Sequence, residues 1–133
     1  LKRRVEEKGL GQRILFRDFT DEPQQLMQAC DTVVLTTVEE TFGLVLVEAM
    51  RAGVAVIGSN RGGGPGIIEH ARTGLLFESG DSGSLYQQLK HYYADPALRA
   101  QVAQAGKSYA DELFDEQLHF PALQRLFIEL VAD

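Results

Sequence analysis

Short apolar runs recur along the first part of the chain and are separated by segments with helical spacing. Four runs, each of three or four residues, read as strands: Ile14–Phe16, Thr32–Leu35, Val54–Ile57 and Leu75–Phe77. Val54–Ile57 is continuously apolar instead of alternating, which is typical of a strand buried on both faces of a parallel sheet. The pattern therefore predicts a parallel sheet.

Helices are predicted between these strands and after the last of them. Glycine, proline and aspartate mark several of their ends, as expected for helix caps. Alternating strands and helices imply right-handed crossovers, so the predicted fold is α/β, a Rossmann-like doubly wound parallel sheet followed by closing C-terminal helices. In chain order the predicted helices are Leu1–Lys8, Gln24–Cys30, Leu44–Arg51, Ile67–Ala71, Asp81–Ala94, Asp95–Ala110 and Glu116–Val131.

Length and composition favour one globular domain. A chain of 133 residues with 44% hydrophobic and 24% charged residues is long enough for one core, so residues 1–133 are predicted to form a single domain. No apolar run approaches the roughly twenty residues that span a bilayer. Leu1 at the start, in place of Met, indicates a fragment of a larger protein.

The net charge and the cysteine content indicate which classes of partner and which compartment to expect. The net charge of −6 disfavours nucleic acid, which binds basic surfaces. Cys30 is the only cysteine, which excludes an intrachain disulfide and favours a reducing, cytoplasmic compartment. Its place in an apolar helix predicts a buried thiol. His70, His91 and His119 have no partners at metal-ligand spacing, so no metal site is predicted.

The segment from Glu40 to Glu48 is the strongest candidate for chemistry. It places two carboxylates on either side of the turn between a predicted strand and the predicted helix Leu44–Arg51. Open parallel sheets bind ligands beyond the carboxyl ends of their strands, where the amides that begin the next helix attract anions. The sequence therefore predicts a phosphate-bearing ligand at this turn.

The residues of the turn suggest individual contacts. Glu48 lies among apolar neighbours and could accept two hydrogen bonds from a diol such as ribose, or lie on a solvated helix face. Gly43 has no Cβ, so a phosphate oxygen can approach its backbone closely. Thr41 is either a hydroxyl donor or a helix cap. Phe42 either packs in the core or forms a wall against the nucleotide.

A glycine-rich loop after the third predicted strand is a weaker phosphate-loop candidate. It runs from Arg61 to Gly66 and includes Gly62 and Gly63. Its position after a strand is that of a ligand-facing loop. For Arg61, a phosphate contact and a plain surface position both remain open.

These motifs resemble the group 1 retaining glycosyltransferases, which have the GT-B fold. That family carries two glutamates separated by seven residues, with Phe-Gly after the first acid and Glu-Ala-Met around the second. The resemblance extends in register over about half the chain. The matching residues are Glu40, Phe42, Gly43, Glu48, Ala49, Met50, Gly53 to Ile57, Gly62, Gly63, Pro65, Ile68, Thr73, Gly74 and Asp81.

The resemblance implies roles for the matched residues. It places Glu48 at the donor ribose and Glu40 beside the donor sugar as the candidate catalytic residue. It places the amides of Gly43 and Leu44 at the phosphates, and Gly62 and Gly63 in the donor loop. No nucleophile is assigned. The family usually has a glutamate just after the loop proline, whereas this chain has Gly66.

The function implied is that of the donor-binding half of a two-lobed enzyme that transfers a sugar from a nucleotide diphosphate sugar to an acceptor hydroxyl. The N-terminal lobe would hold an acceptor sugar or lipid, so the isolated chain should be inactive. Peripheral membrane association of the full-length enzyme is left open, and no cofactor is expected. Two alternatives remain: a noncatalytic α/β nucleotide-binding or regulatory module, and a sugar-nucleotide epimerase-like domain.

Overall fold

The computed structural model describes residues 1–38 and 40–132, with the side chains at positions 116, 118, 119 and 132 excepted. The side chain of His119, which was considered above as a possible metal ligand, therefore lies outside the described part. The elements in order are α1 (Lys2–Glu7), α2 (Pro23–Gln28), β1 (Thr32–Leu35), α3 (Leu44–Arg51), β2 (Ala55–Ser59), α4 (Gly64–Ile67), β3 (Leu75–Phe77), α5 (Ser82–Ala94), α6 (Pro96–Leu113) and α7 (Glu116–Ala132).

The three strands form one parallel sheet in the order β1-β2-β3. Val33 pairs with Val56, and Ile57 pairs with Leu75. Every residue of the central strand β2 is buried. The continuous apolar run in the sequence is explained by this position, since a central parallel strand is covered on both faces.

Helices cover both faces of the sheet. Val56 packs in a cluster with Leu46 and Met50 of α3, whereas its neighbour Ile57 packs in a second cluster with Tyr92 of α5. Successive side chains of a strand point to opposite faces, so the two clusters lie on opposite sides of β2. The predicted α/β doubly wound architecture, similar to a Rossmann fold, is confirmed.

The long helix α6 contributes to both clusters. Val102 packs with the α5 side and Ala110 with the α3 side. Between them, Gly106 lies so close to the turn before β3 that an added Cβ would stand 2.7 Å from the carbonyl oxygen of Thr73. The absence of a side chain at this point allows α6 to pass the sheet and close both faces.

One predicted strand is wrong. Ile14–Phe16 pairs with no strand among the described residues, and Leu15 is 75% exposed. A strand is held by hydrogen bonds to a neighbour, and the described strands pair only with one another. The amide of Ile14 instead donates to the carbonyl oxygen of Leu10, closing a turn after α1.

Two further expectations need correction. The short helix predicted over Ile67–Ala71 lies earlier, at Gly64–Ile67, because Pro65 fits a first helical turn and Ala71 has a φ of 63° that no α-helix contains. Cys30 is exposed instead of buried, since it lies just beyond α2, a helix without buried residues.

Within the described ranges, no helix combines the length and apolar character needed to cross a bilayer.

Candidate functional site

The start of α3 carries free amide groups at the carboxyl end of β1. Gly43 is the N-cap of this helix and has a φ of 93°, a conformation that favours glycine. No side chain caps the helix, and the amides of Leu44 and Val45 donate to no atom of the described residues. The positive end of the helix dipole is therefore available to an anion.

The glycine-rich loop after β2 packs directly on the turn that precedes α3. The amide of Gly63 donates to the carbonyl oxygen of Glu40 at 2.7 Å. A Cβ at Gly62 would overlap the same carbonyl oxygen, and a Cβ at Gly63 would overlap that of Phe42. These two glycines allow close loop packing, and the amide of Gly63 is already used within the protein.

A cavity of about 340 Å³ opens where these two loops meet. Glu40 is partly buried in its wall, and its carboxylate has no hydrogen-bond partner among the described residues. Arg61 stands exposed on the same cavity. The residues that line this cavity are Val38, Glu40, Thr41, Arg61 and Gly62. The cavity is in the lower part of the size range of small-molecule sites.

Glu48 borders a second cavity, of about 330 Å³, on the side facing α2. The side chain is exposed, and the other lining residues come from the segment 21–25 at the start of α2. The two glutamates of the motif therefore border two different cavities. The sequence pattern predicts only a helix over Gln24–Cys30 in this region and does not reveal that the segment 21–25 lies beside Glu48.

The remaining predicted residues of the turn lie at its surface. Thr41 is exposed and does not cap α3, since Gly43 holds the cap position. The ring of Phe42 meets that of Phe114 edge to face at 5.9 Å, and 47% of the residue is exposed. Leu44 is 63% exposed, and its amide lies at the start of the helix.

The side chains available to bind a metal, and the polarity of a further groove, indicate which ligands fit. The described residues include no group of three or more potential metal-binding side chains. The Nδ1 atom of His70 accepts from the amide of Leu76 at 2.9 Å, a structural contact to β3. A larger groove lies on α7 but is almost entirely apolar, which does not suit a diphosphate. It is lined by Phe120, Leu123, Gln124, Phe127, Ile128 and Val131.

Comparison with known proteins identifies similar chains. The alpha-1,3/1,6-mannosyltransferase of Homo sapiens is 34% identical over 126 residues, which cover 90% of this chain and 30% of that protein. The N-acetyl-alpha-D-glucosaminyl L-malate synthase of Bacillus anthracis is 31% identical over 121 residues, covering 91% of this chain and 32% of that protein. The chain thus spans about a third of the length of these relatives.

A solved structure agrees with the sequence relatives and with the fold. The HepE protein of Anabaena, solved in complex with UDP and glucose, superposes with a TM-score of 0.87 at 30% identity, over 98% of this chain and 35% of that one. The family model described as glycosyl transferases group 1 matches residues 1–109. The chain therefore belongs to the group 1 glycosyltransferases.

Proposed function

We propose that this chain binds the donor in an enzyme that transfers a sugar from a nucleotide diphosphate sugar to an acceptor hydroxyl, with retention at the anomeric carbon. One observation carries the proposal. The start of α3 is uncapped, and a glutamate without a described partner borders a cavity just before this start and another borders a separate cavity from within the helix: Glu40 and Glu48, respectively.

These features supply the kinds of group that the parts of such a ligand need. A nucleotide sugar runs from base and ribose through the diphosphate to the sugar, so a site for it needs a diol acceptor, an anion site and a second hydroxyl acceptor in succession. Glu48 is the proposed acceptor for the ribose diol. The amides of Gly43 and Leu44 bind the diphosphate at the start of α3.

The sugar occupies the cavity bordered by Glu40 in this proposal. Its carboxylate accepts hydrogen bonds from sugar hydroxyls and is the proposed catalytic residue. The hydroxyl of Thr41 supplies a further polar contact, and the exposed part of Phe42, which does not line this cavity, contacts the bound nucleotide sugar from outside it. Gly62 and Gly63 act by bringing the two loops together, which shapes the cavity around the sugar.

The comparisons support a transferase over the alternatives of a regulatory module or an epimerase-like domain. Two relatives are named as a mannosyltransferase and an N-acetylglucosaminyl malate synthase, and a similar structure was solved with UDP and glucose. We propose that the acceptor, a sugar or a lipid, is held by a lobe outside this chain, that the enzyme associates peripherally with membranes if the acceptor is a lipid, and that it works in the cytoplasm.

Calorimetric titration of the chain with UDP, GDP and ADP tests donor binding. At least one diphosphate should bind. Glu48→Ala should lower the affinity for it about tenfold, as expected for the loss of hydrogen bonds to a charged group. Glu112→Ala removes an exposed glutamate of α6 that borders neither cavity, so it should change nothing. Absence of binding by the parent chain, or equal affinities of the two variants, would contradict the proposal.

A further inference from the structure

Arg61 is a charged group on the proposed sugar cavity that donor binding, as derived so far, does not use. It borders the same cavity as Glu40 and is exposed. Its guanidinium forms no ion pair with any residue in the described ranges, Glu40 included, whereas several other basic side chains are paired. The paired ones are Arg3, Arg51, Arg72, Arg99 and Lys107.

The backbone on both sides of Arg61 is fixed. Its amide donates to the hydroxyl of Ser59 at 3.2 Å, and Ser59 is only 4% exposed. The next residue, Gly62, has a φ of 64° and lies against the main chain of Glu40. The Arg61 side chain therefore starts from a defined point beside the Glu40 backbone, although its end is free.

The two charged groups of the cavity suit different parts of one ligand. A carboxylate accepts hydrogen bonds from sugar hydroxyls, whereas a guanidinium presents a planar fork of donors that fits a phosphate in bidentate fashion. Because the two side chains do not pair with each other, both remain able to bind a ligand.

We infer that Arg61 binds the phosphate next to the sugar, the β-phosphate of the donor, and so positions the sugar against Glu40. This inference rests on the proposed function, since it assumes that the cavity of Glu40 receives the sugar end of a nucleotide sugar. Arg61 adds a side-chain cation to the main-chain amides at the start of α3. The same oxyanion chemistry could come from a carboxylate on the sugar, which the experiment distinguishes.

The test compares ligands with and without a β-phosphate. The chain and its Arg61→Gln variant are titrated with UDP, GDP and ADP and with UMP, GMP and AMP. Arg61→Gln should lower the affinity for the diphosphate about tenfold and leave the affinity for the corresponding monophosphate unchanged. The reason is that hydrogen bonds to charged groups are strong. In ³¹P NMR spectra of the bound diphosphate, the β-phosphorus resonance should move more than the α-phosphorus resonance between the parent and the variant.

Arg13→Gln is the matched control. It removes the same charge from an exposed arginine that borders neither cavity, so it should not change affinity. The Arg61 side chain has no described partner to lose, so Arg61→Gln should fold, and circular dichroism checks this. The parent and Arg61→Gln are also titrated with UDP-glucose and UDP-glucuronate. The variant should bind both with equally reduced affinity.

The outcomes separate this inference from the proposed function. If the parent binds a diphosphate and Arg61→Gln binds it equally well, the inference is wrong and the proposed function stands. Equal losses for monophosphate and diphosphate, or a loss confined to UDP-glucuronate, also overturn the β-phosphate contact. If the parent binds no diphosphate, the proposed function fails and the inference fails with it.

Discussion

The amide of Gly63 donates a 2.7 Å hydrogen bond to the carbonyl oxygen of Glu40, which joins the loop after β2 to the loop after β1. Both loops leave the carboxyl ends of neighbouring parallel strands, where open α/β sheets bind ligands. The bond fixes the main chain of Glu40 and leaves its carboxylate free. The two loops therefore behave as one structural unit.

Replacing Gly63 by Ala should break this unit. The added Cβ would overlap the carbonyl oxygen of Phe42, so the loops must separate, at a cost of about 1 to 3 kcal/mol in the free energy of unfolding. Urea denaturation measures the loss. Gly66→Ala is the control, since an added Cβ there meets no atom within 4 Å and the residue lies in the short helix α4. Equal stabilities of the two variants would show that the loop contact is not tight.

Replacement of Ala71 by Gly should increase the stability of the protein. Its φ of 63° lies in the left-handed region, where a Cβ is disfavoured by about 1 kcal/mol. Ala71→Gly should therefore raise the midpoint of thermal unfolding. Gly80→Ala makes the opposite change at a φ of 81° with open space around the new Cβ, so it should lower the midpoint through backbone strain alone. A lower midpoint for Ala71→Gly would contradict the conformation described for this turn.

Tyr92 should make stability depend on pH in the alkaline range. Its hydroxyl is buried against the carbonyl oxygen of Val56 at 3.3 Å, and burial raises the pKa of this phenol above its ordinary value of 10.0. The unfolded chain releases the proton near pH 10 while the folded chain keeps it. The contribution of Tyr92 to stability is therefore complete below pH 10 and is lost as the pH rises above it.

The Tyr92→Phe variant checks this dependence. At neutral pH it should cost about 1 kcal/mol through the lost hydrogen bond, and above pH 10 its free energy of unfolding should fall less steeply than that of the parent. Tyr93→Phe alters a neighbouring tyrosine that is 86% exposed, so it should keep the parent slope. Parallel slopes for Tyr92→Phe and the parent would disprove the linkage.

Asp95 should stabilise α6, the helix that closes both faces of the sheet. Its carboxylate accepts from the amide of Leu98 at 2.9 Å as the N-cap. Asp95→Ala should cost about 1 kcal/mol in urea denaturation, whereas Asp95→Ser should retain most of the stability because serine also caps helices. Equal losses for alanine and serine would indicate that capping is not the cause.

The sequence predicted the elements whose signals are local. The bounds of β1, α3 and β3 agree with the predicted runs, and α5 begins after Asp81, which caps it through the amides of Gly83 and Ser84. Apolar spacing and capping depend on nearby residues, so a single sequence contains them. The prediction of a strand at Ile14–Phe16 was wrong because strand formation depends on a neighbouring strand, which the local pattern does not reveal.

The candidate site was predictable only in part. The motif located Glu40, Gly43 and Glu48, since their spacing around the start of α3 is a sequence feature. The bond from Gly63 to Glu40 depends on how two loops meet in space, and the sequence offered only glycines without their packing partners. The place of residues 21–25 beside Glu48 likewise depends on the packing of α2 near α3.

The most direct test of the donor site is a residue-resolved titration by ¹⁵N NMR. The chain is followed as UDP, GDP or ADP is added, in parallel with Glu48→Ala. The largest shifts should fall on the amides of Gly43, Leu44 and Val45 at the start of α3, and they should require a higher nucleotide concentration in the variant. Unchanged resonances at these three amides, with shifts concentrated elsewhere in the chain, would contradict binding of the donor diphosphate at this helix start.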